Sequence, residues 1–188
     1  MVRPACRYSV KHAQWHAQVN GVQAPQQMRH WLTDTMSLTQ KLTERCSAFR
    51  VQRLMQGNAL ILSDEQNLMA MRRRSMVQQR EVFLLCDEMP VVYAHTVVPL
   101  AATASDWPFF NSLGDRSLGS TLFGDPCVQR GRLQFARLGA RHPLVLRASA
   151  ALRMSLSTPL FARRCLYQRN RGLLLVTELF LPGIKELR

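Results

Sequence analysis

Leu173-Leu174-Leu175-Val176-Thr177-Glu178-Leu179-Phe180-Leu181-Pro182 is the most apolar stretch of the chain. Turn residues Asn170-Arg171-Gly172 precede it and Pro182 ends it, so it reads as one buried strand rather than a wet surface. A second strand, Cys165 to Arg169, leads into the same turn. Glu178 is the anomaly inside the run. An ionised, unpaired carboxylate in such surroundings costs several kcal/mol, so it must meet a cation, find hydrogen bonds, or keep its proton. Each outcome is common at binding sites.

The rest of the chain repeats this punctuated pattern. Arg80-Glu81-Val82-Phe83-Leu84-Leu85-Cys86 and Val91-Val92-Tyr93-Ala94-His95-Thr96-Val97-Val98 are strands, and Asp87-Glu88-Met89-Pro90 joins them as an antiparallel hairpin. Ala48 to Met55 reads as a strand broken at Gly57-Asn58. Leu133 to Leu138 and Leu144 to about Ala151 are further strand readings. Asp64-Glu65-Gln66 is a polar connection, and Arg72-Arg73-Arg74 a solvated face. Pro25 opens a helix with Met28, Trp31 and Leu32 on one side. Ser37-x-x-Gln40 has the form of a capping box starting a second helix, with Met36 at the bend between them. Asp106 to Phe110 begins a second helical pair, whose second helix starts near Ser117 with Leu118 and Leu122 spaced i, i+4. About six strands and two helical hairpins make an α+β domain on an antiparallel sheet.

The 188 residues fit one domain spanning 1–188, with 1–14 expected to be poorly ordered or peripheral, and can bury roughly 70% of the surface the unfolded chain exposes. Cys6, Cys46, Cys86, Cys127 and Cys165 are odd in number and lack C-x-x-C spacing, which reads as free thiols in a reducing compartment. The N-terminus carries Arg3, Arg7, Lys11, His12 and His16 without an apolar core, and no run reaches the ~18 apolar residues of a membrane span. A cytoplasmic protein is expected.

Lys+Arg 25 against Asp+Glu 12 leave a net charge of +13, which draws anionic ligands. The arginines are scattered and aromatics make up only 7%. With no zinc finger, RNP-like aromatic pair or helix-turn-helix reader, nucleic acid is not the expected partner.

Alternation puts Arg80 on one strand face with Val82, Leu84 and Cys86, and Glu178 on one face with Leu174, Val176 and Phe180. Two readings stand. The charges pair with each other structurally, or Arg80 snorkels from its strand end; alternatively, an arginine fork and a carboxylate mark opposite ends of one ligand pocket. His95 alone in an apolar strand is more often a core or edge residue than a ligand. Met36 and Leu118 read by default as core contacts. The histidines and cysteines never reach metal-site spacing, and no phosphate loop, G-x-S-x-G or H-E-x-x-H occurs.

Six blocks share order and spacing with a known family: Trp31-Leu32-Thr33-Asp34-Thr35-Met36-Ser37-Leu38-Thr39, Arg80 to Cys86, Thr96-Val97-Val98-Pro99, Leu118-Gly119-Ser120-Thr121-Leu122-Phe123, Ala162-Arg163-Arg164, and Thr177 to Pro182. From about Trp15 to Pro182 the chain resembles bacterial chorismate pyruvate-lyase. The resemblance implies a six-stranded antiparallel sheet with two helix-turn-helix flaps over an internal ligand. It implies conversion of chorismate to 4-hydroxybenzoate and pyruvate, the first committed step of ubiquinone biosynthesis, without metal or organic cofactor. It places product contacts at Met36, Arg80, Leu118 and Glu178, with Arg80 and Glu178 as the catalytic pair. A monomer is expected, with transient membrane-surface contact left open.

One departure stands out. Where the family often has arginine before Thr-Val-Val-Pro, this chain has His95, so a protonated His95 is the expected accessory cation, and His95→Arg should then flatten the pH dependence of catalysis. Phe161 stands where tryptophan is common. The first rival from another class is a non-catalytic small-molecule sensor of the same fold; such regulators carry an N-terminal DNA-reading domain, for which the segment before Trp31 is expected to leave no room. The second is a basic nucleic-acid-binding protein driven by the net charge, for which steep salt-dependent retention on DNA or RNA would speak.

Overall fold

The computed structural model describes residues 13–156 and 159–187. Cys6, the basic N-terminal residues up to His12, and most of the 1–14 segment lie outside the described residues. Among the described residues the core is one six-stranded sheet: β1 (Phe49–Leu60), β2 (Met76–Cys86), β3 (Met89–Pro99), β4 (Val128–Leu138), β5 (Leu160–Arg169) and β6 (Gly172–Phe180). The strand order is β1-β2-β3-β6-β5-β4, and every pairing is antiparallel. Both expected hairpins form across two-residue turns. Asp87 and Glu88 hold φ of 49° and 65°, and Asn170 holds 52°, the left-handed backbone that such turns demand and that Asn and Asp tolerate best.

The helices divide between the two faces. On the front, α1 (Gln26–Leu32) and α2 (Leu38–Thr43) form the first helical hairpin; in the second, the helix expected from Asp106 is a run of turns ending in a short 3-10 segment, Phe110–Ser112, before α3 (Leu118–Gly124). Ser37 Oγ accepts the Gln40 N–H as an N-cap, while the Gln40 side chain donates to Glu44 instead of reaching back, so only half of the capping box forms. Met28, Trp31, Leu32, Leu38 and Leu42 pack on Val82, Leu84, Val92 and Phe180. Trp107, Phe110, Leu118 and Leu122 pack on Val98, Leu174 and Cys165.

Two strand expectations need correction. The segment 144–151 is not a strand but part of α4 (Pro143–Leu152), which covers the back of the sheet. His142 caps it by accepting the Leu144 N–H, Pro143 sits in the first turn where no N–H is needed, and Leu144, Val145 and Ala148 form its buried stripe. Alanines at 148, 150 and 151 favour that choice. Gly57-Asn58 does not break β1 either. As an edge strand with a bulge between Arg53 and Met55, β1 continues to Leu60, pairing Gly57 with Gln79 and Asn58 with Gln78.

The triple arginine is exposed, as expected, but the connection before it is not simply polar: Glu65 is buried against the back face. Among the described residues no helix is long and apolar enough to cross a membrane.

Candidate functional site

Register decides which charged side chains meet. Glu178 on β6 lies opposite Ala94 on β3 and Arg163 on β5, and in the same row Ala94 faces Val82. One step along, Arg80 faces Thr96, Thr96 faces Val176, and Val176 faces Cys165. All share the front face, beneath the two helical hairpins. From strand spacing and rise, the Arg80 and Glu178 Cα atoms are about 12 Å apart.

They do not pair with each other, because each is held by other groups. The cation that answers Glu178 is Arg163, whose Nε donates to Glu178 Oε2 at 2.5 Å. Arg163 is 2% exposed and Glu178 19%, so the carboxylate meets a buried partner while keeping one edge open. Arg163 Nη1 also donates to the backbone oxygens of Trp31 (2.9 Å), Leu32 (3.4 Å) and Asp34 (2.7 Å). These lie at or just beyond the carboxyl end of α1, where helix carbonyls lack partners and the dipole favours a cation. One guanidinium thus ties the first flap to Glu178. Asp34 completes the bend by pairing with Lys41 at 2.6 Å and accepting the Met36 N–H.

Arg80, 2% exposed, donates through Nη2 to the backbone oxygens of Gly114 and Arg116, both at 2.9 Å. It thereby holds the loop that leads into α3. Burial, only partly offset by Asp115, pushes its pKa down to about 10, so it keeps its charge at neutral pH. Its Nε is buried without an acceptor among the described residues. A cavity of about 460 Å³ opens along β1, lined by residues that include Val51, Arg53, Asp115 and Ser117. The charges of Arg53 and Asp115 also bear on Arg80.

The hairpins meet over this face. Thr39 Oγ1 and Ser117 Oγ are hydrogen-bonded at 2.5 Å, joining the start of α2 to the start of α3. A side chain at Gly119 would put its Cβ 3.1 Å from Thr39 Oγ1, so glycine permits the close approach. Leu118 is buried beneath, against the sheet. Met36 departs from the core-contact reading, being 65% exposed at the first bend.

His95 is placed elsewhere. It lies one residue out of phase with Thr96 and so points to the back of the sheet, in the row Glu81, His95, Thr177, Arg164. There it is 1% exposed, with Nε2 3.2 Å from Glu65 and Nδ1 3.3 Å from Glu81. The ring nitrogens are not well aligned for hydrogen bonds, so the attraction is chiefly ionic. The accessory-cation reading is corrected on this ground, because the sheet separates His95 from Glu178.

The back-face cluster has its own pH signature. Burial depresses the His95 pKa, but Glu65 and Glu81 outweigh burial and raise it to about 9. Burial works the other way on Glu81, yet His95 and Arg147, whose Nη1 is 2.6 Å from Oε1, hold its pKa at about 2. The His95 contribution to stability is complete below its unfolded pKa of about 6.5 and is lost as pH rises through about 9. The Glu81 contribution is complete above about 4.5 and is lost as pH falls toward about 2. Thermal midpoints of the parent should therefore fall between pH 7 and 9.5 more steeply than those of His95→Gln. Parallel curves would show that His95 does not carry the charge.

Residues 9–186 match the family described as chorismate lyase. A probable chorismate pyruvate-lyase of Ralstonia nicotianae is 47% identical over 165 residues, 85% of this chain and 83% of that protein. Another, of Nitrosomonas eutropha, is 43% identical, covering 88% and 93%. Among solved structures, the effector domain of PhnF from Mycobacterium smegmatis aligns with a TM-score of 0.55 at 14% identity, covering 80% of this chain and 91% of that one. The ligand-binding domain of a GntR-family regulator from Bordetella bronchiseptica aligns at 0.51 and 14%, covering 72% and 86%. At such identities the likeness is one of fold alone. The family match over nearly the whole chain, with relatives above 40% identity, establishes that the chain belongs to the chorismate lyase family.

Proposed function

We propose that the protein is a chorismate pyruvate-lyase, releasing 4-hydroxybenzoate and pyruvate as the first committed step of ubiquinone biosynthesis. It acts as a cytoplasmic monomer without metal or organic cofactor. The observation that carries this reading is the placement of Arg80 and the Arg163-held Glu178 on one sheet face beneath two helical hairpins.

The chemistry suits these groups. Arg80 holds the ring carboxylate, using the donor that has no protein acceptor. Glu178 Oε2 is taken by Arg163, which leaves Oε1 to accept the ring 4-hydroxyl and fix the far end. The C3–O ether bond then breaks, and the hydrogen lost from C4 balances the departing fragment as pyruvate. Aromatisation drives the step and no oxidation state has to be supplied, so the protein contributes orientation and electrostatics. Leu118 packs over the ring, and Met36 closes over it when the first flap moves inward.

The test is incubation of the purified chain with chorismate in the presence of chelator. Equal amounts of 4-hydroxybenzoate and pyruvate are expected. Because the fold is shared with ligand-binding effector domains, the competing reading is a sensor, and binding of chorismate without turnover would establish that instead.

A further inference from the structure

A dianion needs two cations, and the front face offers Arg80 for only one of its carboxylates. His95 is on the other face, and so is Arg164, which donates to Gln134 and to the Asp64 carbonyl. Arg163 faces the site but is spent on Glu178 and three backbone oxygens.

Arg53 also faces the front, opposite Val82, but it is exposed on the edge strand beside Arg80, which leaves Arg130 as the guanidinium beyond Glu178. It lies on β4 opposite Tyr167, just before the bulge that interrupts the pairing with β5, and Tyr167 faces Leu174 on the front. Its Nη1 donates to the Thr35 backbone oxygen at the tip of the first flap. Its guanidinium carbon sits 5.2 Å from the Phe123 ring centre, at the end of the second. Its Nε is buried and, like that of Arg80, has no acceptor among the described residues. Although burial disfavours its charge, Tyr167, Cys165 and Glu178 favour it more, which places the guanidinium within electrostatic reach of Glu178.

Resting on the lyase reading, we propose that Arg130 binds the second carboxylate of the substrate, the one that departs in pyruvate, while Arg80 binds the ring carboxylate. The two arginines stand four strands apart with Glu178 on a strand between them. Strand spacing puts their Cα atoms roughly 20 Å apart, a span that two arginine side chains and a six-membered ring with a carboxylate at each end can fill. The order of groups across the face then matches the order in the substrate: ring carboxylate, ring, hydroxyl and ether, enolpyruvyl carboxylate. After cleavage the Arg130 end of the site holds nothing bonded to the ring.

This assignment separates substrate from product. The substrate carries both carboxylates and 4-hydroxybenzoate only one. Arg130→Gln should raise KM for chorismate about 10- to 100-fold, the scale of a lost charge-assisted bond, and change the Kd for 4-hydroxybenzoate less than about threefold. Arg80→Gln should weaken both. Arg130→Lys, which keeps charge but not the fork, should fall between parent and Arg130→Gln in KM, and serves alone if the glutamine variant does not fold.

A purely structural link from Arg130 to the flaps would weaken substrate and product together, and that result overturns the proposal. So does an unchanged KM. If the parent itself releases no 4-hydroxybenzoate from chorismate, the lyase reading falls and this assignment with it.

Discussion

Arg80→Ala is expected to lower kcat/KM for 4-hydroxybenzoate release by about 10²- to 10³-fold, the effect of removing one partner of a buried charged contact. Most of the loss should appear in KM, and affinity for 4-hydroxybenzoate should weaken in step, because the ring carboxylate is common to substrate and product. Arg80 also holds the Gly114 and Arg116 carbonyls, so the alanine variant must first be shown folded by its thermal transition. Arg80→Lys supplies the control: it restores a positive charge without the planar fork and should recover only part of the activity. A folded Arg80→Ala enzyme working at the parent rate would remove Arg80 from the site and, with it, the orientation proposed for the ring.

Much of this face was legible in the sequence because strand alternation is a strict period. Once Arg80 to Cys86 and Leu173 to Leu181 read as strands, the neighbours of Arg80 and Glu178 on each face followed, and they stand as expected. The same arithmetic also contained the true partner of Glu178. Arg169 pairs with Gly172 across the turn, and six residues back from one and six forward from the other give Arg163 and Glu178. Arg80 competes for that place because it too is a charge among apolar residues on its strand face. Alternation likewise puts His95 out of phase with Thr96, but which face held the ligand depended on where the helices pack, and that is a tertiary choice.

What the chain did not disclose locally was of two kinds. The segment 144–151 opens with Leu and Val, which suit strand as well as helix, and His142-Pro143 as a helix start together with the alanines that follow settles it. Glu65 reads as a loop carboxylate because the partner that answers it in the interior, His95 at 3.2 Å, lies on β3, far away in sequence. Arg130 sits beside a bulge, where the simple period fails, so its face could not be counted from the strand pattern.

Arg163→Met carries the largest expected cost to the fold. The substitution leaves Glu178 without its cation and three carbonyls near the end of α1 without their donor. Removing one member of a buried ion pair costs about 3–5 kcal/mol, and because Glu178 keeps an open edge to solvent the lower end applies. For a chain of this length that is a fall in thermal midpoint of roughly 10 °C. Activity should drop at least about tenfold as well if Glu178 fixes the ring as proposed, since the carboxylate itself is no longer fixed. The double variant Arg163→Met/Glu178→Gln separates the two effects. Replacing the stranded carboxylate with a neutral amide should return part of the lost stability, because an unpaired charge no longer has to be accommodated, while activity stays low because neither the pair nor the charge is restored. If the double variant is no more stable than Arg163→Met, the cost lies in the flap carbonyls alone, and Arg163 is an anchor for α1 rather than the residue through which the flap and Glu178 are held together.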